Sequence, residues 1–430
     1  MQKLDMSLFR GECICGKSHQ LAVEEIYLEA GALKRFPEIL KNERYAKYHK
    51  FAVICDENTY EAAGRQVEKM LGGIPVVQLE SEGLHADEIG VEKTACGLDG
   101  VGELDCLLAV GSGTIHDLTR YLAYQKRIPF ISIPTAASVD GFVSTTAAMS
   151  WYGFKNSMQA VAPILVVADS NILAAAPMRL TASGVGDLLG KYTALADWQI
   201  AHLLTGEYIC QRICDMEYTA LENLKQSLAG LERGEIDAYE KLMYGLLLSG
   251  LAMQMANQSR PASGAEHQLA HFWEMAVIHD HIDAYHGEKV GVGLLLVSDI
   301  YHKALSYLKN GDFKISSHVE VETGLIEKAF ENPDLRSRIM ETNTPNPLTA
   351  IDPARLQAET ASIIQLIETI PPREELEELL KIVHGKISIE DIGLSSALKT
   401  PSVQLSPYIK NRLTFARILK FYDFYDIVIQ

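Results

Sequence analysis

Leu107-Leu-Ala-Val110 runs directly into Gly111-Ser-Gly-Thr-Ile-His-Asp117, and a helical pattern follows. These residues read as a strand, a tight glycine turn and the N-terminus of a helix. With no β-carbon at Gly111 and Gly113, backbone N–H groups can approach a pyrophosphate, whose charge the helix dipole favours. The pattern falls short of the full G-x-G-x-x-G fingerprint, and an ordinary βα turn reads the same way, so the surroundings must decide. Working outward, short apolar runs recur at Phe51–Cys55, Ile74–Leu79, Phe130–Ile133 and Ile164–Ala168. Helical patterns such as Tyr60–Leu71 and Ile115–Tyr124 lie between them. Strands in alternation with helices predict parallel βαβ units and an α/β domain.

Two neighbours favour a dinucleotide over a bland turn. Asp56 follows the strand Phe51–Cys55, where a carboxylate can accept hydrogen bonds from a ribose. The strand Phe130–Ile133 ends in Pro134-Thr-Ala-Ala-Ser-Val-Asp-Gly-Phe142, with hydroxyls, small residues and one acid. Ligands bind at that carboxyl edge of open α/β sheets.

Past about Leu173 the strand signal fades. Helical patterns take over at Ala182–Ala201, Glu207–Leu228, Ala238–Ala256, Gly264–His279 and Val290–Leu308, with Pro345, Pro347 and Pro371–Pro372 as later punctuation. The expected organisation is an α/β dinucleotide-binding domain over 1–172 and a helical metal- and substrate-binding domain over 173–430. A chain of 430 residues is too long for a single core, which agrees with this division.

Charge and hydropathy exclude several classes. The 39 basic and 56 acidic residues give a formal charge of −17, which disfavours nucleic acid and anionic membranes as partners. An anionic substrate must then be received by a local cluster of donors. Met1 to Arg10 lacks the apolar core of a signal peptide. The longest greasy stretch, Leu242 to Met255, falls short of the roughly 20 apolar residues that a bilayer needs. Seven cysteines without regular spacing fit reduced thiols in a cytoplasmic protein. Cys13 and Cys15, in Cys13-Ile-Cys-Gly-Lys-Ser-His19, hint at a metal clip. Two thiols and a distant histidine do not make a zinc signature, so the stretch is read as structural.

Three further segments carry metal-ligating residue types. Ser183-Gly-Val-Gly-Asp187 sets one acid among small residues, where it either caps a helix or meets a cation. Gly264-Ala-Glu-His267-Gln-Leu-Ala-His271 places two histidines one helical turn apart, and Tyr285-His286-Gly-Glu begins another helix. One aspartate and two histidines make a three-ligand set that leaves a position open for substrate on zinc or a similar ion. Spacing alone leaves other sets open among thirteen histidines. His279, Asp280 and His281 read as a solvated, loop-like run.

In order and context, GSGTIHD at 111–117, PTAASVDGFVS at 134–144, GVGDLLGK at 184–191, SGAEHQLAHFWE at 263–274 and YHGEKVGVG at 285–293 resemble the glycerol dehydrogenase/dehydroquinate synthase superfamily. That superfamily includes the iron-type alcohol dehydrogenases, and the nearest likeness within it is to the sn-glycerol-1-phosphate dehydrogenases. It spans roughly Val53 to Leu295. The resemblance implies a dehydroquinate synthase-like fold, with a Rossmann-like α/β domain followed by an all-α domain. It implies that Asp56, Gly113, Thr114, Ile115, His116, Asp117, Thr135, Ala136, Ala137, Ser138 and Ser144 contact NAD or NADP. Asp187, His267 and His286 would bind one divalent metal, zinc or nickel, while Asp140, His271 and Asp187 would meet the substrate.

The implied reaction is reversible reduction of dihydroxyacetone phosphate to sn-glycerol 1-phosphate, in the service of glycerolipid synthesis, by a cytoplasmic homodimer. Lys155, Lys191 and Lys289 are candidate phosphate donors, each weighed against a solvated surface lysine. This sequence departs from many relatives in reading GSG for GGG and in having Arg120 for a lysine. Three rival readings stand beside the main one. A glycerol dehydrogenase would act on unphosphorylated polyol, a dehydroquinate synthase would carry a glutamate in place of Asp187, and a sensor would keep the cofactor fold without catalysis.

Overall fold

The apolar runs assemble into one six-stranded sheet. A computed structural model of the chain describes residues 3–275 and 282–430, so His279, Asp280 and His281 lie outside the described residues. The strands are β1 (Gly11–Glu12), β2 (Ser18–His19), β3 (Glu25–Glu29), β4 (Phe51–Asp56), β5 (Val76–Leu79), β6 (Cys106–Gly111), β7 (Phe130–Pro134), β8 (Thr146–Trp151), β9 (Phe154–Gln159) and β10 (Leu165–Asp169). The main sheet has the order β3-β10-β7-β6-β4-β5, and every pairing in it is parallel. β1 with β2, and β8 with β9, are separate antiparallel hairpins.

Side chains along the central strands alternate between two cores. Val53, Cys55, Leu108 and Val110 enter one, while Ala52, Ile54, Leu107 and Ala109 enter the other. Burial on both faces explains why these strands read as continuous apolar runs. From β4 the chain steps outward to β5, then crosses back to β6 on the other side of β4. The crevice at the carboxyl ends of β4 and β6 is therefore a topological switch point, where ligands of open α/β sheets bind.

The helices used below are α1 (Gly113–Lys126), α2 (Met178–Leu189), α3 (Lys191–Thr205), α4 (Gln211–Glu232), α5 (Ile236–Ala256), α6 (Ala265–Trp273) and α7 (His286–Asn310). The chain forms two compact units: Met1–Gly184 with Glu222–Asn257, and Val185–Leu221 with Gln258–Gln430. The first is the α/β unit. It also takes in α5, which packs on the 170–175 helix and on β2 and β3. The second unit is helical, with no paired strand among its described residues beyond an isolated bridge. The linear division expected at 172/173 differs from this partition because residues 173–184 and 222–257, which include α5, belong to the α/β unit.

Some elements had weak sequence signals. The pattern 182–201 is two helices meeting at Gly190. The edge strand β3 and the β8–β9 hairpin went unpredicted, the latter being rich in alanine and polar residues. Its turn, Tyr152–Gly153, has both residues at positive φ, the geometry of a two-residue hairpin turn. The stretch Leu242–Met255 lies inside α5 and is largely buried. Among the described residues no helix is long and apolar enough to cross a membrane.

Candidate metal centre and dinucleotide turn

In the helical unit, close backbone approach brings the segments around Asp187, His267 and His286 together. A β-carbon on Gly186 would lie 2.3 Å from the carbonyl oxygen of Gly287, and one on Gly293 would lie 2.7 Å from that of Glu266. Only glycine lets α2, α6 and α7 meet at these points. Asp187, His267 and His286 consequently each present a ligand atom within 4.8 Å of the others. His267 Nε2 lies 3.3 Å from Asp187 Oδ1.

Each histidine is backed by a glutamate. Glu266 Oε1 accepts from His267 Nδ1 at 2.8 Å and from the Gly264 N–H at 2.6 Å, while its Oε2 accepts from Thr193 Oγ1 at 2.5 Å. Glu274, at the C-cap of α6, stands 2.9 Å from His286 Nδ1 and 3.1 Å from Lys289 Nζ. With Nδ1–H donated to a carboxylate, each ring keeps Nε2 as the nitrogen free to accept a metal bond, made more basic by the charge behind it. Sequence reasoning missed both glutamates. Their signal was adjacency to the histidine blocks, since both fall inside SGAEHQLAHFWE.

Lys191 is fully buried, and its Nζ lies 3.0 Å from Asp187 Oδ1. Burial pushes the Asp187 carboxyl up, but Lys191, and then His267 and His286, hold it well below the usual carboxylate range. Burial also disfavours the charged His267 ring, and hydrogen bonds to Asp187 and Glu266 outweigh it, so its pKa is raised. Lys191 and Lys289 are thus buried countercharges of Asp187 and Glu274, neither solvated surface lysines nor open anion donors. Lys155, on β9, donates instead to the Ala148 carbonyl at 3.2 Å.

His271 completes a cluster of rings, with centroids 5.5 Å from His286 and 5.9 Å from His267. His271, Glu274 and His286 form a second three-donor set within 4.8 Å. In that set Glu274 is already the hydrogen-bond partner of His286 and the ion-pair partner of Lys289, a supporting role. The Asp187 set, with a carboxylate and two backed imidazoles, offers the O and N donors that suit zinc or nickel.

In the α/β unit, Gly111 ends β6 and Gly113 opens α1, with Asp56 ending the adjacent β4. A β-carbon on Gly111 would lie 2.6 Å from that of Ile115, so the turn closes tightly over the first helical turn. Asp56 caps its own helix, accepting from the Thr59 N–H at 2.8 Å. Gly113, Thr114 and Asp117 are partly exposed, whereas Ile115 and His116 face inward. Both ring nitrogens of His116 are engaged, with the Ser112 carbonyl at 2.9 Å and Ser132 Oγ at 2.8 Å. Burial first, then the charge of Arg120, lowers its pKa to about 3, so its ring is neutral and structural.

Thr135, Ala136, Ala137 and Ser138 are buried just past β7, and Ser144 Oγ donates to the Thr146 carbonyl at 2.8 Å. Arg120, fully buried, braces this loop through the carbonyls of Gly141 at 2.5 Å and Thr146 at 3.1 Å. Asp140, in the same loop, accepts from Ser249 Oγ of α5 at 2.9 Å.

The six-stranded parallel sheet followed by a helical unit is the fold of a class of solved dehydrogenases and reductases. Residues 27–177 match the family model described as iron-containing alcohol dehydrogenase. The sulfoacetaldehyde reductase of Bifidobacterium kashiwanohense, solved in complex with NAD+, shares the fold with a TM-score of 0.59 at 14% identity, over 96% of this chain and 98% of that one. Sequence carries the assignment further. The glycerol-1-phosphate dehydrogenase [NAD(P)+] of Geobacillus stearothermophilus is 33% identical over 418 residues, 95% of either chain. That of Bacillus licheniformis is 40% identical over 305 residues, 69% of this chain and 75% of its own. The chain belongs to the glycerol-1-phosphate dehydrogenase family.

Proposed function

We propose that the chain is an NAD(P)H-dependent oxidoreductase that interconverts dihydroxyacetone phosphate and sn-glycerol 1-phosphate, using one divalent metal held by Asp187, His267 and His286. The observation that carries this reading is the convergence of two carboxylate-backed histidines on one buried aspartate. Family membership supports the substrate and the cofactor, since the relatives bear the name glycerol-1-phosphate dehydrogenase [NAD(P)+].

When bound, the metal supplies a Lewis acid for the substrate's C2 oxygen and the nicotinamide supplies or accepts the hydride. The chain's own groups do the rest. Lys191 keeps Asp187 ionised, so that its oxygen is ready to ligate. Glu266 and Glu274 fix the tautomer and orientation of His267 and His286. His271 orients the substrate and relays the proton of its C2 oxygen, and Asp140, steadied by Ser249, shares that work. Asp56, the 113–117 turn, residues 135–138 and Ser144 receive the dinucleotide, with the turn's N–H groups and helix dipole meeting the pyrophosphate.

The deciding experiment is a rate comparison. Protein stripped with a chelator, then reloaded with zinc or nickel, is assayed for NADH and NADPH oxidation on dihydroxyacetone phosphate and on dihydroxyacetone. The phosphorylated ketone should be strongly preferred, and turnover should vanish on stripping and return on reloading. Full activity in metal-free protein would sink the metal assignment, and equal turnover of dihydroxyacetone would favour a glycerol dehydrogenase. The same reading makes the protein a cytoplasmic homodimer with a role in glycerolipid synthesis. Its seven cysteines, none in a disulfide, support the reducing compartment. Sedimentation at the monomer mass would overturn the dimer.

A further inference from the structure

The Cys13–His19 stretch takes no part in the function proposed above. It folds as a hairpin in which Gly11 pairs with His19 and Glu12 with Ser18. The turn is closed by Cys13 N–H to the Lys17 carbonyl at 3.1 Å and Gly16 N–H to the Cys13 carbonyl at 3.0 Å, with Gly16 at φ 84°. The hairpin removes the distance in sequence that argued against a clip. The two thiol sulfurs and a ring nitrogen of His19 all lie within 4.8 Å of one another.

His19 is 2% exposed, and its Nδ1 lies 2.8 Å from the carbonyl oxygen of Met255, at the end of α5. A carbonyl can only accept, so Nδ1 carries the proton and Nε2 presents a lone pair. Nε2 faces Cys15 Sγ at 3.5 Å. In a tetrahedral zinc site, bonds of about 2.3 Å to sulfur and about 2.0 Å to nitrogen put neighbouring S and N ligands roughly 3.5 Å apart. The spacing, the tautomer and the carbonyl behind the ring are those of a histidine already set to ligate.

We propose that Cys13, Cys15 and His19 bind a structural zinc ion, leaving one corner of its tetrahedron to a donor that these three do not supply. The ion closes the N-terminal hairpin and, through His19 and Met255, fastens it to the end of α5. That helix also carries Ser249, the partner of Asp140, so the clip steadies the element behind the loop that follows β7. The site holds two soft thiolates, whereas the Asp187 site holds none, and this separates the two spectroscopically.

The test uses the full-length chain, stripped under reductant and titrated with cobalt(II) alone, then with zinc. Cobalt should produce intense near-ultraviolet thiolate-to-metal charge-transfer absorption, which zinc then displaces. C13S and C15S should each abolish that absorption and lower zinc content by one equivalent per chain, and H19A should weaken affinity more than tenfold. D187A should retain the thiolate band while losing the other metal, so failure here is distinct from failure of the proposed catalytic site. The proposal falls if the unaltered chain shows no thiolate absorption with cobalt, or if the band persists in C13S and C15S. It also falls if Cys13 and Cys15 are found joined as a disulfide in protein purified under reductant.

Discussion

Replacing Glu266 with glutamine isolates the charge behind His267, a histidine of the proposed metal site. The fully buried Glu266 side chain has three partners: Gly264 N–H and His267 Nδ1 on Oε1, and Thr193 Oγ1 on Oε2. Glutamine has the same shape, and its carbonyl oxygen can take the place of Oε1. Its amide nitrogen then faces Thr193, whose hydroxyl can accept because its own proton has the Gly190 carbonyl at 3.1 Å. Packing and hydrogen bonding are therefore conserved, and the change is the loss of one negative charge from His267. Loss of such a support costs about 10–100-fold in metal affinity, or about 1.4–2.7 kcal/mol. The assay is zinc competition against a chromophoric chelator, comparing the wild-type chain, E266Q and D187A. E266Q should fall between the other two. An affinity indistinguishable from wild type would refute the idea that Glu266 tunes the ligand, and one as weak as D187A would make Glu266 a ligand itself.

Four further outcomes follow from the geometry. In K191M, Asp187 becomes a buried charge without its countercharge, so metal-free protein should lose about 3–5 kcal/mol, with a smaller loss after zinc loading. Equal melting shifts in the two states would contradict this. G111A forces a β-carbon to 2.6 Å from that of Ile115. It should cost about 1–3 kcal/mol in stability or local distortion and weaken dinucleotide binding while zinc affinity holds, so unchanged NADH affinity would count against the turn.

Asp197, whose carboxyl burial and then Glu266 raise from 3.8 to about 7, keeps its proton in the folded state after the unfolded chain has lost its own. Stability should therefore fall as pH rises from about 4 to about 7, by on the order of 4 kcal/mol from this group. D197N should flatten that slope in denaturant titrations, and an unchanged slope would reject the assignment. D140N should depress turnover far more than dinucleotide affinity, and an equal loss of both would move Asp140 to the cofactor side.

The sheet was legible because burial on both faces writes a strand as an unbroken apolar run, and the five runs read in the sequence all became strands of it. β3 was hidden by the glutamates at its ends, and β8–β9 by small and polar residues that give no strong period. That Asp187, His267 and His286 converge was legible only through their flanking blocks, since spacing cannot tell which of thirteen histidines meet. Glu266 and Glu274 stayed silent for a physical reason. A buried glutamate beside a histidine looks like any helix-surface charge until the fold removes the water. Lys191 was misjudged in the same way, because its neighbour Asp187 lies one helical turn behind it and the pair is buried whole.

The return of α5 to the α/β unit has a consequence for how this protein is made and dissected. The nascent chain emits all six main-sheet strands by residue 169, yet the helix that packs on β3 does not emerge until residue 256. A ribosome-bound or truncated product ending near residue 172 carries a finished sheet with an unfinished flank. Such a fragment should be prone to chaperone binding and aggregation. Excising the α/β half for separate study requires splicing residues 222–257 back on, since a cut at the last strand leaves the half incomplete.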